Sequence, residues 1–344
     1  MRHIFLFLDG TDCTLQTRTN IGQVYSLISD TETHRRYYQS GIGAFSRIKW
    51  IDNLLAPNVD QKVVEAYEAL LPLNLSLEDR LYIFGYSRGA VIARRLAMCL
   101  ASRESLVAIS TRGLDFEKAV QAEVAYLCLF DPVIGWPRFF DSKFPDHDAV
   151  LEARIRSYVE LISIDEARFL FPSDSYFASD KVRKKIESVS SISEAYSTAD
   201  RESSFLELTI LKTRKSIWFP GTHSDVGGHG KNKKIGAHAL ATSMEELLCI
   251  LPDGTDRSVF NMKEISSLLQ SSEDDITSHE SNNGILRRFW RKFVKSTLLR
   301  APTKRVLVQH LAHPTCIETG EATWIEGLPL YPTYSALAVS ARED

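Results

Sequence analysis

A serine flanked by glycines, in the sequence Gly-Tyr-Ser-Arg-Gly at residues 85–89, is the part of this chain whose setting best predicts chemistry. An apolar run from Leu81 to Phe84 predicts a strand before it, and the residues from Ala90 to Ser102 predict a helix after it. A tight strand–turn–helix bend exposes the hydroxyl of a residue such as Ser87 for nucleophilic attack, and its cramped backbone requires glycines two positions away on either side. The alternative is an ordinary turn that carries an exposed serine.

A nucleophilic serine requires a base, and the base requires an orienting acid. The apolar run from Val124 to Phe130 predicts a buried strand that ends at Asp131, where the acid belongs in the chain order serine, acid, histidine. A turn or N-cap aspartate before a proline is the alternative for Asp131. The base candidate is His223, the first histidine after the short predicted strand from Ser216 to Phe219. His229 lies deeper in the glycine-rich loop, and we expect it to be more solvated.

Ester hydrolysis passes through a tetrahedral oxyanion, which fixed N–H donors stabilise. The backbone N–H of Arg88, directly after the serine, is the first expected donor. The second is expected from the loop that follows the N-terminal strand, predicted from Ile4 to Leu8, and Gly10 or Thr11 is best placed to supply it. These groups make up the predicted oxyanion hole.

Two further carboxylates, Asp9 and Asp225, are placed near the same predicted site. Asp9 is expected to be a structural acid that accepts hydrogen bonds from loop N–H groups. Asp225 either ties the histidine loop together or binds a metal. The chain lacks the close His and Cys spacing of a zinc site, so we expect no metal or other cofactor, and Ca²⁺ with its oxygen ligands is the better candidate if one binds.

Several blocks of the sequence recur in one known family. The blocks are residues 7–11, followed by 37–43, then 85–90, 129–133 and 219–228. In that order they resemble the α/β-hydrolase-like domain of type VI secretion phospholipase effectors, the Tle-type lipase effectors, and their uncharacterised relatives. The resemblance implies a phospholipase with a triad formed by Ser87, Asp131 and His223, the same three residues that the local patterns indicate.

The chain also departs from the pattern of this family. Pro132 stands where the family usually has Thr, and His229 where it has a third glycine. Glu160 replaces a histidine that commonly precedes the Ile-Asp-Glu block, and Asp12-Cys13 follow the first block where Trp or a similar residue is frequent. These departures leave the triad intact and are expected to affect the rim of the substrate pocket.

Alternating predicted strands and helices favour an α/β-hydrolase-like fold, a mainly parallel sheet flanked by helices, with insertions. We predict a catalytic domain over residues 1–260 with an exposed insertion near 172–203, and a segment over 261–344 that packs back on it. Further predicted helices span residues 20–29, 61–71 and 235–250, and further predicted strands span 157–164 and 205–211.

Within the last segment, an acidic loop over residues 271–283 precedes a predicted basic amphipathic helix over 284–300. Its apolar face carries Phe289 and Trp290, and its other face carries Arg291 and Lys292 among five basic residues without an acid. Such a helix is attracted to an anionic bilayer surface. The alternatives are that it packs on the core or docks an acidic partner.

Composition narrows the remaining function classes. With 44% hydrophobic residues the chain can bury a full core, and a net charge of −3 gives no reason to expect nucleic acid. Cys99, Cys128 and Cys249 lie in apolar runs and are expected to be reduced core thiols, which fits synthesis in the cytoplasm. The sequence shows no signal-peptide pattern and no apolar run long enough for a membrane span. Export would then need a dedicated secretion system, as the resemblance implies.

Three functions fit these observations. The first is a phospholipase-type serine hydrolase, whose partners are phospholipid, a membrane surface and a bacterial partner or immunity protein. The second is a serine esterase or thioesterase that acts on a non-lipid substrate. The third is a non-enzymatic interaction subunit of a bacterial toxin or phage-defence assembly.

Overall fold

The computed structural model of the protein describes residues 1–43, 59–101, 120, 122–133, 155–166, 214–252, 254–270, 324–325 and 328–329. Over these residues, six strands form one parallel sheet. They are β1 (His3–Leu8), β2 (His34–Gln39), β3 (Arg80–Tyr86), β4 (Glu123–Phe130), β5 (Ile155–Ser163) and β6 (Arg214–Phe219). Their order in the sheet is β2-β1-β3-β4-β5-β6, and every neighbouring pair runs parallel. Two short strands, β7 (Trp324–Ile325) and β8 (Leu328–Pro329), pair antiparallel apart from this sheet.

The described helices follow the strands in the alternating pattern that the sequence predicted. They are α1 (Asn20–Leu27), α2 (Val59–Glu68), α3 (Arg88–Ala101), α4 (His223–Val226), α5 (Lys233–Ile250) and α6 (Met262–Gln270), with short 3₁₀ turns at Leu15–Thr17, Leu71–Leu73 and Arg257–Val259. The α/β-hydrolase-like fold class is therefore confirmed. None of these helices combines the length and the apolar character that crossing a bilayer requires.

The two faces of the sheet carry different kinds of side chain. Towards α2 and α3 the strands present mainly aliphatic residues, such as Leu6, Ile83 and Leu127. Towards α1, α5 and α6 they present mainly aromatic residues, such as Phe7 and Phe84. Because alternate strand residues point to opposite faces, each central strand contributes to both layers. Burial of each such side chain is worth about 1.5–3 kcal/mol, which holds the sheet as a rigid platform.

The strand order changes direction at β1. The chain passes from β1 to β2 on one side and then returns to add β3 on the other side of β1. In open parallel sheets, ligands bind outside the carboxyl ends of the strands at such a switch point. The loop after β1 and the turn after β3 meet there, since a Cβ built on Gly10 would lie 3.2 Å from the Cβ of Ser87.

Two expectations differ from the structure. The edge strand β2 was not predicted, because its sequence, His-Arg-Arg-Tyr-Tyr-Gln, is mostly polar and only partly buried. Cys249 is exposed, whereas Cys99 and Cys128 are buried as expected. The reason is helical geometry: residue 249 lies four positions after Glu245, on the outer side of α5.

Several predicted features lie outside the described residues. They are the insertion near residues 172–203, the strand over 205–211, the acidic loop over 271–283 and the basic helix over 284–300 with Phe289, Trp290, Arg291 and Lys292. These features stay predictions. So does the division of the chain into residues 1–260 and 261–344.

Candidate active site

Ser87 lies at the bend between β3 and α3 with a left-handed backbone conformation, φ +57°. The turn brings α3 back so closely that a Cβ on Gly85 would lie 2.5 Å from the Cα of Ala90, and one on Gly89 would overlap the carbonyl oxygen of Leu8. Any larger residue at these two positions would force the turn apart. The two glycines are thus required by close backbone packing, and the arrangement is that of a nucleophile elbow.

Asp131 follows β4 directly and is completely buried. It also has a left-handed backbone, φ +44°, which turns its side chain across the end of the sheet. The carboxylate is held from β5, since Oδ1 accepts the backbone N–H of Ser163 at 2.8 Å and Oδ2 accepts the Ser163 hydroxyl at 3.0 Å. Asp131 is therefore a fixed hydrogen-bond acceptor and not an exposed turn aspartate.

His223 begins the short helix α4 after β6 and joins the other two residues. Its Nδ1 lies 2.6 Å from Asp131 Oδ2, and its Nε2 lies 2.9 Å from Ser87 Oγ. An ionised carboxylate only accepts hydrogen bonds, so Nδ1 carries the proton in this pair. Nε2 is then the acceptor that faces the serine hydroxyl. The structure thus brings together all three residues that the sequence placed in one site.

A tyrosine supports the histidine from the side. Tyr86 stacks on the imidazole of His223 with ring centroids 4.9 Å apart, and its hydroxyl donates to the His223 carbonyl oxygen at 3.3 Å. His229, expected to be more solvated, is half-buried, and its ring meets Tyr86 edge-on at 5.5 Å. A contact between Tyr86 and His223 was not predicted, although the position of Tyr86 directly before Ser87 is a signal that its side chain lies near the site.

The structure distinguishes the three candidate oxyanion donors. The Gly10 N–H donates to Asp9 Oδ1 at 2.8 Å, so this group is committed within its own loop. No described residue accepts a hydrogen bond from the Thr11 N–H, although the loop around it lies against the elbow. The Arg88 N–H is in the first turn of α3, directly after Ser87, as expected for the first donor.

Asp9 is a buried structural acid. Its carboxylate accepts the Tyr38 hydroxyl at 2.7 Å and the Thr19 hydroxyl at 2.8 Å, in addition to the Gly10 N–H. Burial raises the pKa of Asp9 to about 6, and these hydrogen bonds oppose the rise. The carboxylate ties the loop after β1 to β2 and to the start of α1, which matches the expectation for this residue.

Asp225 ties the histidine loop together. Its Oδ2 accepts the N–H and the hydroxyl of Thr222 at 2.9 and 2.8 Å, and its Oδ1 accepts the Asn232 N–H at 2.9 Å. From α1, the Asn20 side chain donates to the carbonyl oxygen of Val226 at 2.9 Å. Protein donors therefore surround the Asp225 carboxylate. In the described part of the chain, no group of three or more His, Cys, Asp or Glu side chains is arranged to hold a metal ion.

Glu160, the departure from the usual histidine, lies in the interior. It is fully buried on β5 and accepts a hydrogen bond from the hydroxyl of Tyr158, two residues earlier on the same strand face. Burial, together with the nearby Glu160 carboxylate, raises the pKa of Tyr158. The expectation that this departure affects the pocket rim is therefore wrong for Glu160, because a fully buried strand residue is part of the core.

The six-stranded parallel sheet with an elbow after its third strand defines an α/β-hydrolase-like protein. Residues 2–107 and 102–246 match the family described as "T6SS, Phospholipase effector Tle1-like, catalytic domain". The chain therefore belongs to the Tle1-like catalytic domain family, which confirms the resemblance that the sequence blocks indicated.

The individual proteins that resemble this chain match it over a short stretch or at low sequence identity. An uncharacterized protein of Saccharomyces cerevisiae is 33% identical over 115 residues, which cover 28% of this chain and 17% of that protein. The crystal structure of an uncharacterized protein from Pseudomonas aeruginosa is 18% identical with a TM-score of 0.43, over 80% of this chain and 51% of that one. The Tle1 effector bound to the VgrG spike of the type 6 secretion system is 17% identical with a TM-score of 0.39, over 66% of this chain and 51% of that one. The chain thus spans about half the length of these solved chains and a smaller share of the yeast protein.

Proposed function

We propose that this protein is a serine hydrolase of phospholipase type that acts through Ser87, His223 and Asp131. The observation that carries the proposal is the continuous hydrogen-bonded row from the Ser87 hydroxyl through the His223 ring to the Asp131 carboxylate, with steps of 2.9 and 2.6 Å. A nucleophile, a base and an orienting acid in this arrangement are the requirements for acyl transfer to serine.

In the first half-reaction, Ser87 Oγ attacks the ester carbonyl carbon while His223 Nε2 takes the hydroxyl proton. The imidazolium that forms is stabilised by Asp131, whose carboxylate lies against Nδ1. The tetrahedral intermediate then collapses, the ester C–O bond breaks, and His223 returns its proton to the leaving alcohol. In the second half-reaction, water attacks the acyl-Ser87 ester with His223 again as base, and fatty acid is released.

The negative charge on the intermediate oxygen requires donors that are in place before the reaction. We assign this role to the backbone N–H groups of Arg88 and Thr11. Loss of one such donor reduces kcat by about a hundredfold to a thousandfold in serine hydrolases. Gly10 keeps the loop close to Ser87, and its own N–H holds Asp9.

The lipid character of the substrate is supported by the family, whose description names phospholipase effectors of the type VI secretion system. We infer from the same membership that the chain is exported by such a system and meets a bilayer as its substrate surface. The predicted basic amphipathic helix over residues 284–300 is the part of the sequence suited to that contact.

Liposome hydrolysis tests the proposal. Wild type, Ser87→Ala and the exposed control Ser26→Ala are each mixed with zwitterionic and anionic liposomes, and fatty-acid release is followed by mass spectrometry. Wild type and Ser26→Ala should release fatty acid and should label with a fluorophosphonate probe, whereas Ser87→Ala should do neither. Hydrolysis of short soluble esters without lipid hydrolysis would indicate an esterase that acts on a non-lipid substrate. A folded wild type that neither labels nor hydrolyses any ester would refute the enzyme.

A further inference from the structure

Three successive backbone N–H groups of the histidine loop donate to three different carboxylates. The pairs are Gly221 with Asp165 at 2.6 Å, Thr222 with Asp225 at 2.9 Å, and His223 with Glu166 at 3.2 Å. Two of these acids, Asp165 and Glu166, lie two and three residues after the end of β5 and are not members of the proposed triad. A carboxylate is a stronger acceptor for a backbone N–H than a neutral oxygen, so this set fixes the loop firmly.

The backbone reinforces the same contact. The Ile164 N–H donates to the Phe219 carbonyl oxygen and the Asp165 N–H to the Gly221 carbonyl oxygen, both at 2.9 Å. The parallel pairing of β5 with β6 therefore continues beyond the ends of both strands. As a result, the chain leaving β5 runs directly beside the chain that carries His223.

The same segment also holds the acid of the triad. Ser163, the last residue of β5, donates both its N–H and its hydroxyl to Asp131. Three residues later, Glu166 accepts the His223 N–H and is only 2% exposed. Residues 163–166 thus contact Asp131 on one side and His223 on the other, and supply no reacting atom themselves.

We infer that Glu166 is a positioning residue for His223, and that residues 163–166 form a bracket that sets the distance between His223 Nδ1 and Asp131. This inference rests on the proposed hydrolase function. Removing a carboxylate from water costs free energy unless the carboxylate forms hydrogen bonds in the protein. We therefore expect a buried glutamate whose oxygen accepts the N–H of the base to hold that base in place. Misplacement of a catalytic group by about 1 Å can lower a rate by about a hundredfold.

The test compares two substitutions of Glu166. Glu166→Gln keeps an oxygen that can accept the His223 N–H, whereas Glu166→Leu keeps the approximate volume and removes the acceptor. The matched control is Glu246→Gln, another buried carboxylate, which pairs at 2.8 Å with Lys215 near the start of β6, at the end of that strand opposite to His223. For each protein, kcat and KM on a short soluble ester, the rate of fluorophosphonate labelling and the thermal midpoint are measured.

We expect Glu166→Leu to lower kcat and the labelling rate by about tenfold to a hundredfold with KM within about twofold, because the soluble substrate does not contact this residue. Glu166→Gln should stay within about threefold of wild type, and Glu246→Gln should lower only the thermal midpoint. A folded Glu166→Leu that labels at the wild-type rate would overturn the inference, and so would a Glu166→Gln as slow as Glu166→Leu.

Two arrangements keep the test decisive. If Glu166→Leu does not fold, Ser163→Ala takes its place, because it removes one hydrogen bond to Asp131 from the other end of the bracket; a wild-type kcat in that variant would contradict the bracket. If wild type itself neither labels nor hydrolyses esters, the proposed function has failed. If wild type is active and Glu166→Leu reacts as fast as Glu166→Gln, the inference about Glu166 fails while the proposed function stands.

Discussion

Tyr86 stacks on the imidazole of His223, and its hydroxyl donates to the carbonyl oxygen of the same residue. The residue directly before the proposed nucleophile therefore supports the proposed base. Tyr86 also packs closely against Gly227 in the histidine loop, since a Cβ on Gly227 would overlap the Tyr86 ring. One side chain thus couples the position of the elbow to the position of the base.

This contact predicts different results for two substitutions of Tyr86. Tyr86→Phe removes one hydrogen bond and keeps the stacked ring, so we expect a loss of about 1 kcal/mol of unfolding free energy and a labelling rate close to wild type. Tyr86→Ala leaves a cavity beneath the imidazole and should lower the unfolding free energy by about 3–5 kcal/mol and the labelling rate by at least tenfold. Urea unfolding and fluorophosphonate labelling measure the two quantities. Equal labelling rates in both variants would mean that the ring does not hold His223.

The glycines of the elbow should tolerate no side chain. In Gly85→Ala and Gly89→Ala the new Cβ meets the backbone of Ala90 and Leu8, which cannot move without opening the turn. We expect each to lower the free energy of unfolding by about 3 kcal/mol. Gly22→Ala is the matched control, because Gly22 lies within α1 and its Cβ would make ordinary contacts of 3.7 and 3.8 Å with Leu15. That variant should be more stable by about 0.5–1 kcal/mol in urea unfolding; destabilisation equal to the elbow variants would contradict the close-packing argument.

Asp9 should make stability depend on pH. Burial raises its pKa to about 6 in the folded protein, above the ordinary value of about 4 that holds in the unfolded chain. Between pH 4 and 6 the folded state therefore binds more protons, and the free energy of unfolding falls as pH rises, by up to about 3 kcal/mol in total. Above about pH 7, one pH unit beyond the folded pKa, both states have lost the proton and this loss is nearly complete.

Asp9→Asn removes that titration. As pH rises from 4 to 7, the unfolding free energy of wild type should fall relative to that of Asp9→Asn. Urea unfolding at several pH values measures this difference, so that contributions from all other groups cancel. Parallel stability curves would show that Asp9 titrates as an ordinary carboxyl.

The predicted basic helix should control binding to anionic membranes. Reversing two charges in Arg291→Glu/Lys292→Glu should weaken co-sedimentation with anionic vesicles at least tenfold, since each basic residue near such a surface contributes about 1 kcal/mol. The control Arg35→Glu/Lys231→Glu makes the same change of net charge elsewhere and should bind like wild type. If both double variants lose binding equally, net charge rather than this helix is responsible.

Local patterns were sufficient to predict most of the sheet. The strands that lead to Ser87 and Asp131 are nearly continuous apolar runs, because strands buried on both faces cannot alternate. The strand before His223 was predicted only in part, since Arg214–Phe219 begins with three polar residues. The edge strand β2 escaped prediction because its two faces are half-buried and its residues are polar. The boundaries of the helices differ from prediction by a few residues, as at α3, which begins at Arg88 rather than Ala90.

The three proposed reacting residues could be predicted from the sequence, whereas the contacts of Tyr86 and Glu166 with His223 were not predicted. Ser87, Asp131 and His223 each follow a strand, and the carboxyl ends of parallel strands meet at one edge. The role of Glu166 depends on how two chain segments line up after β5 and β6, which no local pattern encodes. The contacts of Asp225 lie within its own loop, where a loop-tying role was one of the two expectations for this residue. Glu166 did offer one signal, since it is an acid three residues after the end of a buried strand.

The left-handed backbone at residue 87 restricts which side chains this bend can carry. Threonine has an equivalent oxygen, but its branched Cβ is strongly disfavoured at positive φ. Cysteine is unbranched, and its strain at φ +57° would match that of serine. The backbone at this position therefore accepts cysteine in place of serine and excludes threonine. Backbone conformation, as well as reactivity, thus decides which side chain can be the proposed nucleophile.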